Sequence, residues 1–159
     1  MKKKSKYRPK PVLTDPVGWV IAGLRPVSEA SESLSTFGIK SHGALEAVRT
    51  GKASRHDATL LINAVNMAMA LAHMGQGRDW LPELKEAEKA ILAAGARTKF
   101  LFTGLELQAV RLALDIHDAQ MGDPATTVGM LENAINGLNK LTREGKTQRV
   151  EMREWAMAA

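Results

Sequence analysis

The sequence has no cysteine, six prolines and 4% aromatic residues in 159 positions. The missing thiols exclude disulfides, thiolate nucleophiles, iron-sulfur clusters and Cys-based zinc sites together. Long apolar runs are missing too. The charge-free run of the helix ahead of Gly75, residues 58–74, falls short of the ~20 residues a bilayer core requires and contains Asn63, Asn66 and His73, so it is expected as a buried core helix, with no membrane association. Strand alternation is lacking, since residues 99–102 form the only candidate and are too short to need a sheet. Several catalytic signatures do not occur. No serine between Ser28 and Ser41 lies in a Gly-x-Ser-x-Gly elbow, Gly75-x-Gly77 has no third glycine and no preceding strand, and there is no Walker-type loop.

What the chain has is 45% hydrophobic and 25% charged residues, enough for the core of one soluble domain. Its net charge of +5 is unevenly placed. Lys2, Lys3, Lys4, Lys6, Arg8 and Lys10 stand in the first ten residues without an acid, whereas residues 11–139 hold 11 basic and 14 acidic side chains. The basicity therefore belongs to an arm and not to a globular face. Pro9 and Pro11 hold that arm in extended geometry, and residues 1–14 are expected to be a flexible basic segment. No apolar stretch follows the lysines as a secretory signal requires, so the expected location is cytoplasmic.

Capping and periodicity predict an all-α fold over residues 15–145, followed by a tail at 146–159 that continues as a further turn or two of helix. Asp15-Pro16 opens a short helix that Pro26 stops, and the Ser-rich stretch 27–40 reads as a connection. Ser41 caps a second short helix over 42–50, which Gly51 closes. Ser54 and Asp57 have capping-box spacing at the head of a long helix over 55–74, apolar on nearly every side and so expected at the centre. Asp79 caps the next helix, whose stripe is Trp80, Leu84, Ala87, Ile91 and Ala94. Thr103 and Glu106 form a second box before a helix over 104–121, with apolar rows Leu105, Ala109, Leu112, Ile116 and Leu107, Val110, Leu114, Met121. Asp123-Pro124 starts the last long helix, with Val128, Leu131, Ile135, Leu138 and Leu141 inward and Gly145 at its end. The expected architecture is an antiparallel bundle of four long helices with two short N-terminal helices and the basic arm.

The candidate sites are few. Lys2, Lys3, Lys4, Lys6, Tyr7, Arg8 and Lys10, with a second group of Lys40, Arg49, Lys52 and Arg55, supply phosphate-binding charge and one stacking ring for a macromolecular partner or nucleic acid. Asn63, Asn66 and His73 on the central helix either cap a neighbour's backbone, set register, or line a small polar pocket, and His117 joins them as a polar group of the core. His117 reads as a core-edge histidine with its bonds satisfied and not as a metal ligand, because Asp115 and Asp118 stand two and one residues from it and a helical two-ligand site needs three or four. No metal, no cofactor and no catalytic group is expected.

The run Lys6-Tyr7-Arg8-Pro9-Lys10-Pro11-Val12, Asp15-Pro16, Asn66-Met67, Glu106-Leu107 and Leu114-Asp115-Ile116-His117-Asp118-Ala119-Gln120 resembles a group of small phage- and prophage-encoded proteins of Gram-negative bacteria. The resemblance implies a mobile-element origin and carries no mechanism with it. The expected function is that of a non-enzymatic accessory protein binding a host or phage protein, for example to inhibit a host defence or regulatory system, and forming a homo-oligomer. The alternative is a sequence-independent nucleic-acid binder that uses the arm.

Overall fold

A computed structural model describes residues 21–29 and 32–146, so the basic arm and the tail from residue 147 lie outside the described residues. Every regular element among the described residues is helical. A single-turn 3-10 helix, Val27–Glu29, precedes α1 (Glu32–Arg49) and α2 (Arg55–His73). A second such turn, Arg78–Trp80, leads into α3 (Leu81–Gly95), followed by α4 (Gly104–Gly122) and α5 (Val128–Arg143). The one β-type feature is an isolated antiparallel bridge between Pro26 and Thr127. Residues 21–23 are helical and the chain leaves that helix before Pro26, in keeping with the expected stop, while 15–20 lie outside the described residues.

The largest departure from the sequence reading is α1. The Ser-rich stretch expected as a connection is helical from Glu32, and the expected short helix at 42–50 is only its second half. Phe37, Ser41, Ala44, Leu45 and Val48 share one helix face, and all but the half-buried Phe37 are buried. Burying a Val or Leu is worth about 1.5–3 kcal/mol, several times the few tenths a serine loses in a helix. Ser41 accordingly caps nothing, and its hydroxyl donates to the Phe37 carbonyl one turn back at 3.0 Å. The described chain thus has five long helices, one more than the four expected. Gly51 does close α1 as its sequence position suggests. At φ 70° it lets the Lys52 N–H reach the Ala47 carbonyl at 2.8 Å, a turn an L side chain would strain.

Both capping boxes form as read. Ser54 and Asp57 exchange side-chain and backbone bonds at the head of α2, and Thr103 and Glu106 do so at the head of α4. The other two starts differ. α3 begins at Leu81 with Pro82 in its first turn and no side-chain cap, since Arg78–Trp80 winds as a separate turn and leaves Trp80 exposed outside the stripe. α5 begins at Val128, capped by the Thr127 hydroxyl on the Met130 N–H, because the residues after Pro124 pair with the chain near Pro26. There the Val27 N–H donates to the Thr126 carbonyl at 2.8 Å and the Val128 N–H to the Arg25 carbonyl at 2.9 Å.

The core gathers around α2, which packs against α1, α3, α4 and α5. Ala58, Leu61, Ala64, Val65, Ala68 and Ala72 are fully buried, and four alanines in that face allow neighbouring helices to approach closely. The central position is as expected, but the apolar coat is not complete: Thr59, Asn63 and His73 point to solvent. On α4 the buried face runs through Val110, Ala113, Leu114, Ile116, His117 and Gln120. That face lies between the two rows read from sequence, and it leaves Leu105 and Leu112 outside. α5 packs on α2 and buries only Leu131 and Ala134; Ile135 and Leu141, expected inward, remain exposed at the two margins of the contact.

Candidate functional site

A polar constellation that joins two helices lies where α1 crosses α4. The helices run in opposite directions there, since Gly38 and His42 meet Asp118 while Glu46 feels Arg111. His42 Nε2 and Asp118 Oδ2 are 2.7 Å apart at the surface, and the other carboxylate oxygen stands 3.7 Å from Nδ1 of His117. The second distance is too long for a hydrogen bond, so Asp118 bonds one imidazole and touches the other electrostatically. His117 itself is 3% exposed, with the Phe37 ring edge-on at 5.8 Å and no partner for Nε2. Burial holds its pKa below the ordinary imidazole range, opposed by the nearby Asp118 charge. The expectation of a core histidine is right in place, and the expectation of satisfied bonds is wrong at Nε2.

A carboxylate-supported imidazole at the surface can accept and pass a proton. Here the adjacent hydroxyl, Ser41, is buried and already donates to Phe37, so the pair has no nucleophile beside it on its own helix. The pair ties α1 to α4. Among the described residues, no three His, Asp or Glu side chains are grouped as a metal site requires. No described helix is long and apolar enough to cross a membrane.

The polar-pocket residues read from the sequence do not come together. Asn63 and His73 are exposed and Asn66 is half-buried, all on the solvent side of α2, and His117 lies on the inner face of α4. The buried amide that serves the core is one sequence reasoning did not single out for this role. Gln120 Nε2 donates to the carbonyls of Ala68 at 3.0 Å and Gln76 at 2.7 Å, joining α4 to the end of α2. A second such tie fastens the turn after α3 to the head of α4. Arg97 donates to both carboxylate oxygens of Glu106, at 2.8 and 2.6 Å, and to the Leu101 carbonyl at 2.7 Å. Glu106, also accepting from the Thr103 N–H, has its pKa held down to about 2, mainly by Arg97.

The basic candidates separate likewise. Lys2 to Lys10 lie outside the described residues. Lys40 and Arg49 are nine positions apart on α1, which at about 100° per residue puts them on opposite sides of the helix. Arg49 is held by Glu46 at 2.7 Å, and only Lys52 and Arg55, in and just after the α1–α2 turn, remain as neighbouring exposed cations without a described ion pair. The expected second basic cluster is therefore not a single surface. A depression of about 430 Å³ on the outer side of α3 is lined by Leu81, Pro82, Glu83, Lys85, Glu86 and Lys89, with Lys89 bonded to Glu86 at 2.6 Å. Comparison with protein-family models, with curated proteins and with solved structures finds no match.

Proposed function

We propose that the protein is a non-enzymatic accessory protein of phage or mobile-element type, an antiparallel helical bundle that acts by binding a protein of its bacterial host. Inhibition of a host defence or regulatory system is the role such binding would serve. The observation that supports this reading most directly is α5. It separates apolar from polar residues cleanly along its length, yet among the described long helices it packs chiefly on α2, and it leaves Ile135 41% and Leu141 40% exposed, one on each margin. Apolar ridges flanking the contact of a helix packed at the edge of the bundle are suited to a partner that completes the packing.

The test is affinity capture with chemical crosslinking, comparing the full chain with the double variant Ile135→Asp, Leu141→Asp. A host protein recovered at fixed stoichiometry, crosslinked to Lys140 and lost with the double variant, is the expected result. Equal recovery by both forms counts against α5 as the contact. The second reading, sequence-independent nucleic-acid binding, draws on the six cations of residues 1–10. Six phosphate contacts would give a log-log salt slope of about −5 on duplex DNA, measurable by fluorescence anisotropy. Loss of that slope in a chain starting at Pro11 would support it.

A further inference from the structure

The start of α5 is held by a segment from far earlier in the chain. Residues 23–29 cross it there: the Val27 N–H donates to the Thr126 carbonyl at 2.8 Å, the Val128 N–H donates to the Arg25 carbonyl at 2.9 Å, and Pro26 forms an antiparallel bridge with Thr127. Two glycines let the backbones touch, since a Cβ on Gly129 would stand 3.0 Å from the Gly23 carbonyl oxygen. The segment has an anchor of its own. Val27 is 2% exposed, and the turn Val27–Glu29 packs on α4. α5, by contrast, buries only Leu131 and Ala134 among its 16 residues, a light hold for a helix of a length that is marginal in isolation.

We infer, taking α5 as the partner-binding helix proposed above, that residues 23–29 are a strap that latches α5 onto the bundle, and that slipping this latch with the core intact is what frees the helix. Closed, α5 offers a partner the margins at Ile135 and Leu141. Open, it adds the buried Leu131 and Ala134 to them, and the four with Val128 and Leu138 make one apolar stripe at helical spacing, the form in which an amphipathic helix enters a groove. The strap keeps its own seat on α4, so its bonds to α5 can break without disturbing the contacts of α2 with α1, α3 and α4. A partner that takes the open form then binds in proportion to the fraction of molecules the strap leaves open.

Val128→Pro tests the latch. Val128 is the first residue of α5, where proline suits a helix, and Thr127 before it is already extended at φ −94° and ψ 160°. The change therefore removes the bond to Arg25 and leaves α5 able to form. Val128→Ala is the control, because it trims the same side chain and keeps the N–H. In hydrogen exchange of the full chain, Val128→Pro is expected to speed residues 131–143 by about five- to tenfold over Val128→Ala, the effect of one backbone bond lost, with residues 58–72 unchanged. Trypsin should cut at Lys140 faster by the same factor. Gly129→Ala gives an independent reading should the proline variant not fold. Alanine is the better helix former, so this change slows exchange in α5 if no strap holds it and speeds exchange if the added Cβ forces the strap away. Equal rates in the two Val128 variants, an increase shared equally by residues 58–72, or slower exchange in Gly129→Ala overturns the latch. These readouts need no partner, so a failed latch leaves capture through Ile135 and Leu141 standing, and failed capture leaves the latch standing.

Discussion

Replacing Glu106 by Gln removes one negative charge from the tie between the turn after α3 and the head of α4 and leaves nearly the same shape. The carboxylate accepts two bonds from Arg97 and one from the Thr103 N–H, and its pKa stands at about 2 against the ordinary 4.5. That difference corresponds to about 3 kcal/mol as an upper figure. Arg97 keeps 40% of its side chain exposed against 18% for Glu106, so solvent screening reduces the expected loss to about 2 kcal/mol. The sign follows from the lowered folded pKa: the unfolded chain takes up the proton first as acid is added, so the stabilisation is present above about 4.5 and is lost as pH falls toward about 2. Urea unfolding of the parent and Glu106→Gln at pH 7 should differ by that amount, and the gap should close in a series down to pH 2.5. A gap of the same size at both ends, or one below about 0.5 kcal/mol at pH 7, would show that the carboxylate charge is not what holds this junction.

Three further predictions probe other parts of the account. Because burial depresses the His117 pKa, the unfolded chain binds a proton first as pH drops below 6.5, so stability should fall from there; His117→Leu should flatten that fall in urea titrations at pH 8 and pH 5. A Cβ added at Gly129 would stand 3.0 Å from the Gly23 carbonyl oxygen, a backbone atom with little room to move, so Gly129→Ala should cost about 1–2 kcal/mol and lower the melting temperature. On α2, Leu61→Ala should cost about 2–5 kcal/mol, while Asn63→Ala, two positions on and exposed, should stay within about 0.5 kcal/mol.

The parts of the fold legible in the sequence are those set by neighbours along the chain. Ser54 with Asp57 and Thr103 with Glu106 could be read because each capping box is complete within four residues. Gly51 and Gly145 end their helices for the same local reason, both with positive φ. α1 was hidden because serine content suggested a linker, although Phe37, Ser41, Ala44, Leu45 and Val48 already repeat at helical spacing. The outward side of α2 was also there to be read. Thr59, Asn63, Asn66, Ala70 and His73 recur at intervals of 4, 3, 4 and 3, a solvent-facing stripe that the high average apolarity of the helix obscured. The pairs across helices had no such signal. That Asp118 reaches His42, that Arg97 reaches Glu106, and that His117 Nε2 finds no partner depend on how helices far apart in sequence meet.

The central claim is that α5 is lightly held and so free to meet a partner. Hydrogen exchange of the full chain, read by mass spectrometry over peptides of α2 and α5, tests it most directly. Among the described long helices α2 is the main support of α5, and with Ile135 and Leu141 at the margins this predicts that residues 135–143 exchange many times faster than residues 58–72. Protection of the second half of α5 equal to that of α2 would contradict the claim, because a helix opening only with the whole core has no free margin to offer.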